Sequence, residues 1–266
     1  MNGKKSSFYE WKDKLTRRNS EEEVLIKEIT EIIESSHQTY GYRRTTLALK
    51  VRGYHVNHKR VLRIMRENNL LCVKFTLRNR RYSSFKGEVG KIADNHLERQ
   101  FTTHQPNQVW VSDVTEFKVK HMKEKLYLSP IMDLYNKEII SHSLSTSPTV
   151  RFTNESLEKA LLSLPPHHRL MIHTDQGFHY QHHSWVAALK KHHIQQSMSR
   201  RGNCLDNSPM ENFFGLLKQE MYYGQSFESI EDLKISINQY IHWYNHERIK
   251  LKLNGLSPIQ YRLQAA

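Results

Sequence analysis

At Gln108 the periodicity of the chain changes, and that change limits the fold more than any other feature. From there Val109, Val111, Asp113, Thr115, Phe117 and Val119 alternate with their neighbours and share one strand face. A second strand is predicted over Leu126–Leu134, and Asn136-Lys137 turns the chain into a third, Ile139–Leu144. A helix follows near Asn154–Leu162, then a short apolar strand, Leu170-Met171-Ile172, running into His173-Thr174-Asp175. A helix over Ser184–His192 and a strand over Gln195–Ser199 complete the run. Three strands in a meander followed by alternating helix and strand predict an α/β domain, a mixed sheet with helices on its faces.

Upstream the spacing is helical. Ser20-Glu21-Glu22-Glu23 reads as a capping box opening a helix, and Leu25, Ile26, Ile29, Ile32 and Ile33 repeat along it. A second helix is predicted over Tyr42–Val51, with Gly53 suited to its C-terminal cap, and a third after Asn57, running to about Asn68. Lys59, Arg63 and Arg66 form a basic stripe on the third helix, with Arg60 beside it. Two short helices joined at a glycine, the second one basic, are what a helix-turn-helix requires to enter a major groove and neutralise phosphates. An ordinary solvated helix face is the competing reading.

Charge supports the DNA reading without fixing the fold. Residues 1–100 hold 22 Lys/Arg against 12 Asp/Glu, a net of +10, whereas residues 101–266 hold 18 against 15, a net of +3. A basic front half beside a nearly neutral back half fits a polyanion-binding module joined to something else. Arg78, Arg80 and Arg81, followed by Ser83-Ser84, read as a basic linker. No apolar run is long enough for a bilayer, and the first residues hold no signal-peptide stretch, so a cytoplasmic protein with no membrane role is expected. Cys72 and Cys204 are far apart and outside any CxxC, which argues against a disulfide scaffold or cysteine zinc site.

Three acids stand out. Asp113 interrupts an alternating apolar face, a costly place for a carboxylate unless it is paired or holds a metal. Asp175 follows a strand beside Gly177, where it also suits a turn cap. Glu211 comes three residues after Ser208 and one after Pro209-Met210, so it also suits a capping box. Asp133 ends an apolar strand as well. Between Asp175 and Glu211 lie 35 residues, and Lys218 follows Glu211 by two helical turns on one face. Arg200 and Arg201, in the loop before the helix, are candidate phosphate contacts. His173 and His179 are not selected as ligands, because a chain with 17 histidines offers many by chance.

Taken together, Trp110-Val111-Ser112-Asp113-Val114-Thr115, His173-Thr174-Asp175-Gln176-Gly177, Ser197–Asn203 and Asp206-Asn207-Ser208-Pro209-Met210-Glu211 with Lys218 resemble the D,D,E transposases and integrases. The resemblance is greatest to the OrfB proteins of the insertion-sequence-three (IS-three) family. Tyr40-Gly41-Tyr42-Arg43-Arg44 and Val56–Val61 are similar to that family's helix-turn-helix segment, and Tyr244-Asn245-His246-Glu247-Arg248 with Leu256-Ser257-Pro258 to its C-terminal segment. The resemblance covers roughly residues 20 to 262 and implies a ribonuclease H-like catalytic domain. The expected order is a lead at 1–19, a helix-turn-helix domain at 20–78, a basic linker at 79–102, the catalytic domain at 103–222 and a helical tail at 223–266. The tail is predicted as a helix after Ser229 and a last short helix after Ser257-Pro258.

The resemblance also implies chemistry. Asp113, Asp175 and Glu211 are the expected catalytic and metal-binding residues, holding two Mg²⁺ ions, with Mn²⁺ able to substitute. Such pairs, about 3.5–4 Å apart, activate the attacking oxygen and neutralise the departing one, and Mg²⁺ prefers carboxylate oxygens. Arg43, Arg44, Lys59, Arg60, Arg63, Arg66, Arg200, Arg201 and Lys218 are the expected DNA contacts, with Asp133 structural. Expected partners are double-stranded DNA at transposon ends and target, further copies of the chain on that DNA, and an upstream-frame protein or fusion. Such a protein would be bacterial and nucleoid-associated. The alternatives are a ribonuclease or junction resolvase of similar fold, and a non-catalytic DNA-binding regulator with an inactive core. The latter should have lost a carboxylate, and all three are present.

Overall fold

The computed structural model describes residues 4–75, 92–200 and 204–264. The chain divides into two compact units, Met1–Leu77 with Ile249–Gly255, and Arg78–Arg248 with Leu256–Ala266. No helix among the described residues is long and apolar enough to cross a membrane.

The first unit holds α1 (Lys4–Ser35), α2 (Tyr42–Val51) and α3 (His58–Glu67). Leu25, Ile29, Ile32 and Ile33 of α1, Ala48 and Leu49 of α2, and Val61, Ile64 and Met65 of α3 form its core. Asn57 caps α3 by accepting from the Lys59 N–H at 2.8 Å. Gly53, with φ of +89°, ends α2. The Tyr54 N–H reaches back to the Leu49 carbonyl and the Gly53 N–H to that of Lys50, a Schellman closure that only a left-handed residue allows cheaply. Ser20 does not open a helix. It lies inside the 32-residue α1, because residues 12–19 contain neither Gly nor Pro to stop the helix upstream.

The second unit is built on a mixed sheet of β1 (Val109–Ser112), β2 (Thr115–Lys118), β3 (Lys125–Asp133), β4 (Ile139–Ser145), β5 (Met171–Thr174) and β6 (Gln195–Met198). β3 runs antiparallel to β4, β1 and β2, while β5 lies between β1 and β6 and is parallel to both. Between the strands lie α4 (Val150–Leu161), α5 (Phe178–Gln181) and α6 (His183–Lys191); after them come α7 (Ser208–Leu217), α8 (Ile230–His246) and α9 (Pro258–Leu263). Trp110, Ile131 and Ile172 pack against Leu157 and Ala160 of α4 and Trp185 and Leu189 of α6. α7 and α8 add Met210, Phe213, Leu217, Leu233, Ile237 and Ile241 to the core. β1 is buried at every position, as a strand covered on both faces must be.

The single first strand expected from the alternation is two. β1 and β2 share one register against β3, but the ladder breaks at Asp113-Val114. That register sets Asp113 opposite Pro130, which has no N–H to donate, and the Ser112 hydroxyl takes the Pro130 carbonyl at 2.9 Å. The tail helices begin where expected. Ser229 caps α8 through the Asp232 N–H, and Ser257 and Gln260 form a full capping box on α9.

Candidate active site

The parallel register of β1 and β5 brings the first two acids together. Val109 faces Met171, Trp110 faces Ile172 and Val111 faces His173, so the residues just beyond each strand, Asp113 and Asp175, fall side by side. Equal spacing from their strands also puts them on the same side of the sheet. Asp113 accepts from its neighbour Val114 N–H at 2.7 Å, and Asp175 from Gly177 N–H at 2.9 Å. A Cβ at Gly177 would lie 2.9 Å from an Asp175 oxygen, so a side chain there would have to displace that carboxylate.

The third acid arrives on a helix tied to the end of β1. A 3₁₀ turn, Cys204–Asn207, leads into α7, and buried Asn207 donates from Nδ2 to the Ser112 carbonyl at 3.1 Å. That carbonyl belongs to the peptide entering Asp113. Ser208 is the first helical residue and not the cap; Asn207 stands at the cap position without a side-chain cap bond. The capping-box account of Glu211 therefore fails, since Glu211 is one residue too far along. Its half-buried carboxylate accepts no hydrogen bond from the described residues.

Electrostatics mark the three as unusual. Burial, then the charge of Asp175, pushes the Asp113 carboxyl well above the usual carboxylate range, and Glu211 adds to the effect. Burial also raises Asp175 and Glu211. Tyr180, whose hydroxyl lies 3.2 Å from that of Ser112, is driven upward by burial and by both aspartates. Two adjacent carboxylates without an arginine, and a third nearby, form a hard oxygen donor set suited to Mg²⁺. As placed, no three His, Cys, Asp or Glu side chains among the described residues are close enough to hold a metal ion. Lys218, directly after α7, donates to the Thr115 hydroxyl at 2.7 Å and lies 5.2 Å above the Phe117 ring. Burial lowers its pKa against the opposing pull of Glu116 and Asp113.

Residues 103–204 match the integrase core domain family, residues 211–265 a second integrase core domain family, and residues 20–80 an HTH-like domain. InsK of insertion sequence element IS150, from Escherichia coli (strain K12), is 45% identical over 98% of this chain and 90% of its own. The transposase InsF of insertion sequence IS3A, from the same organism, is 31% identical over 97% of this chain and 89% of its own. The chain belongs to the IS3 family of insertion-sequence transposases. A solved intasome of simian T-cell lymphotropic virus, bound to a regulatory subunit of PP2A, covers 88% of this chain and 74% of its own chain at 18% identity and a TM-score of 0.50. That likeness concerns the fold, which is the ribonuclease H-like integrase core with helices before and after it.

The remaining candidate residues of the transposase divide by their surroundings. Arg200 does not stand free for phosphate: its guanidinium and backbone N–H bind Asp206, which also takes Arg99 at 2.8 Å and the Asn95 amide at 3.1 Å. These contacts hold the Asp206 carboxyl far below its usual range, the bond from Arg200 contributing most. Arg201 lies outside the described residues, as do Arg78, Arg80 and Arg81. In the front unit Arg63 is paired with Glu22 and Glu67, and Arg60 with Glu22. Arg44 lies over the Tyr40 ring and Arg43 bonds the Tyr42 hydroxyl, while Lys59 and Arg66 are exposed. His173 is fixed between the Ser197 and Ser199 hydroxyls at 2.8 and 3.1 Å, and burial holds its pKa down at about 4. Asp133 is bound by Arg262 and by the N–H groups of Asn107 and Tyr135. Asn207, Asp206, Gly177 and Thr115 are the contributors that the sequence did not single out. The available signal was their place inside the two motifs that carry the acids.

Proposed function

We propose that Asp113, Asp175 and Glu211 carry out strand cleavage and strand transfer at the ends of an insertion sequence, using two Mg²⁺ ions or Mn²⁺ in their place. The observation that carries the reading is the register match of Asp113 with Asp175, joined by the Asn207 tie that brings α7 and Glu211 to the same strand end. Asp113 and Asp175 would hold the ions, and Glu211, unrestrained by any hydrogen bond among the described residues, would turn inward to complete the set. Bound metal supplies charge neutralisation for the attacking and departing oxygens of an in-line displacement.

The chain's own groups do the rest. In the first step water attacks the phosphorus at the transposon end, the P–O3′ bond breaks and a 3′-hydroxyl is released. In the second, that hydroxyl attacks a target phosphodiester, so one P–O bond forms as another breaks and the protein forms no covalent bond. Lys218, beside Asp113, offers its ammonium to the phosphate backbone near the reacting end. Lys59 and Arg66 are the best placed groups of α3 for phosphate contact, with Arg43, Arg44, Arg60, Arg63 and Arg200 as further contacts once their present partners yield, and Arg201, outside the described residues, as another. DNA ends, target DNA and further copies of the chain are the partners this reading requires. An upstream-frame protein or fusion would supply further end recognition.

The test is a cleavage and joining assay on end DNA with Mg²⁺, run on this chain and on its upstream fusion, each beside its Glu211→Gln counterpart. The expected result is joined product from the parent and none from the variant. Equal product from both would overturn the reading.

A further inference from the structure

Immediately after α7 the backbone widens into a single π-helical stretch, Lys218–Tyr222, closed by the Tyr223 N–H on the Lys218 carbonyl at 2.7 Å. Such turns are rare and poorly bonded. Lys, Gln, Glu and Met are all good α-helix formers, and the stretch has no Gly or Pro, so nothing local explains the widening. The cause is tertiary, and it acts from two sides. The Tyr222 hydroxyl accepts from the Lys118 N–H at 3.1 Å and donates to the Lys118 carbonyl at 2.6 Å, tying the turn to the end of β2. Glu220 points the other way into a fully buried pocket. There Arg248 donates to both of its oxygens, one bond at 2.7 Å, and the Tyr240 hydroxyl donates at 2.8 Å.

A buried ion pair is a poor way to gain stability but a good way to fix one geometry, because its forked hydrogen bonds accept one arrangement. Burial opposes the charge on Arg248, and Glu220 more than restores it. We infer that the Glu220–Arg248 pair is a positioning device for Lys218: it locks the wide turn that keeps the Lys218 ammonium on Thr115, beside Asp113. This rests on the role given above to Lys218 as a DNA contact. Without the pair, the stretch should relax toward an α-helix, which would rotate Tyr222 off Lys118 and draw Lys218 away from Thr115.

The test compares four full chains: the parent, Glu220→Gln, Lys218→Ala and the double variant. Asp133→Asn serves as control, because it breaks another buried carboxylate–arginine pair of the same unit. In the joining assay Glu220→Gln should lose about tenfold. In the Lys218→Ala background the same change should cost less than about twofold, since the residue it acts through is gone. Independently of activity, acylation of Lys218 read by mass spectrometry against exposed Lys190 should rise several-fold in Glu220→Gln and stay unchanged in Asp133→Asn. Multiplying losses in the double variant, or equal Lys218 labelling in Glu220→Gln and Asp133→Asn, would overturn the inference. If the parent joins DNA no better than Glu211→Gln, the site reading fails instead, while the labelling still reports on the turn.

Discussion

Asp113→Asn should abolish strand cleavage and, in the absence of metal, make the transposase more stable. Asp113 and Asp175 follow neighbouring parallel strands in register, and such strands lie about 4.8 Å apart. Two full charges about 5 Å apart at an effective dielectric of about 20 repel by about 3 kcal/mol. Both residues are half-buried, so solvent on the open side should reduce this to roughly 1–2 kcal/mol. For a unit of this size 1 kcal/mol moves the melting midpoint by about 2–4 °C. The variant should therefore melt roughly 2–8 °C above the parent in a chelator at pH 8. The new amide keeps an oxygen for the Val114 N–H, so the change removes charge and little else.

The pH dependence gives the sign. The folded-state pKa of Asp113 is raised by burial and by Asp175, so the penalty is fully present above that pKa. It fades as the pH falls through it, and is gone below the unfolded value of about 3.9. The advantage of Asp113→Asn should shrink over the same window as the parent takes up a proton. Adding Asp175→Asn should gain only the burial penalty of that carboxylate, because the first change already removed the repulsion. Mg²⁺ should reverse the ranking, since an ion at about 100 times its Kd stabilises the form that binds it by about 2.7 kcal/mol. Scanning calorimetry with chelator and with Mg²⁺ at two pH values decides the matter. A variant melting at or below the parent in chelator at pH 8, or a gain independent of pH, refutes the reasoning.

Three further outcomes are expected. Asn207→Ala leaves the Ser112 carbonyl unmet and should cost about 1–2 kcal/mol in urea unfolding; cleavage should fall at least tenfold with end-DNA affinity unchanged, and a parallel loss of affinity would count against a tie specific to the site. His173 titrates near its ordinary value when unfolded but at about 4 when folded, so its contribution is full at neutral pH and is lost as pH falls from about 6.5 through 4, by about 3 kcal/mol; His173→Asn should remove that part of the slope, and an unchanged slope in urea titrations would reject it. On α3, Lys59→Ala and Arg66→Ala should each lower the log–log salt slope of DNA binding by about 0.9, and Arg63→Ala by less because Glu22 and Glu67 already hold it; equal slopes for all three, measured by fluorescence anisotropy, would show that those ion pairs open freely.

Much of the fold was legible because strong periodicity and end signals agree with the tertiary structure. The strands over Lys125–Asp133 and Ile139–Ser145, the cap at Asn57, the left-handed Gly53 and the start of the last helix at Ser257-Pro258 all fall where local chemistry put them. The misses have two causes, a helix that nothing local stops and partners distant in sequence. Ser20 carries a capping signature, yet the helix has no upstream breaker and runs through it. The split between β1 and β2 depends on Pro130 across the sheet. The π-helical turn depends on Arg248 and on β2, and no local propensity announces it. At the site, residue types and order were legible, whereas the alignment of Asp113 with Asp175 is a property of strand register.

Strand register leaves a physical criterion that the sequence could not apply. Acids at strand ends and helix starts recur along this chain, and by pattern alone Asp133 looks as catalytic as Asp113. Their surroundings separate them. Asp133 has Arg262, Asp206 has Arg200 and Arg99, and Glu220 has Arg248, so each of these carboxylates already has its cation within the fold. Asp113, Asp175 and Glu211 have no salt-bridge partner among the described residues; burial raises the pKa of all three as it does that of Asp133, so the missing arginine is what sets them apart. A fold that supplies arginines to its structural acids but leaves three clustered acids without one leaves them short of positive charge. The same criterion makes a directional prediction: Asp133→Asn should cost stability and leave some strand cleavage, whereas Asp113→Asn should gain stability and leave none. If Asp133→Asn, shown to be folded, lost all cleavage while Glu211→Gln kept it, the partition of these acids into structural and catalytic would be wrong.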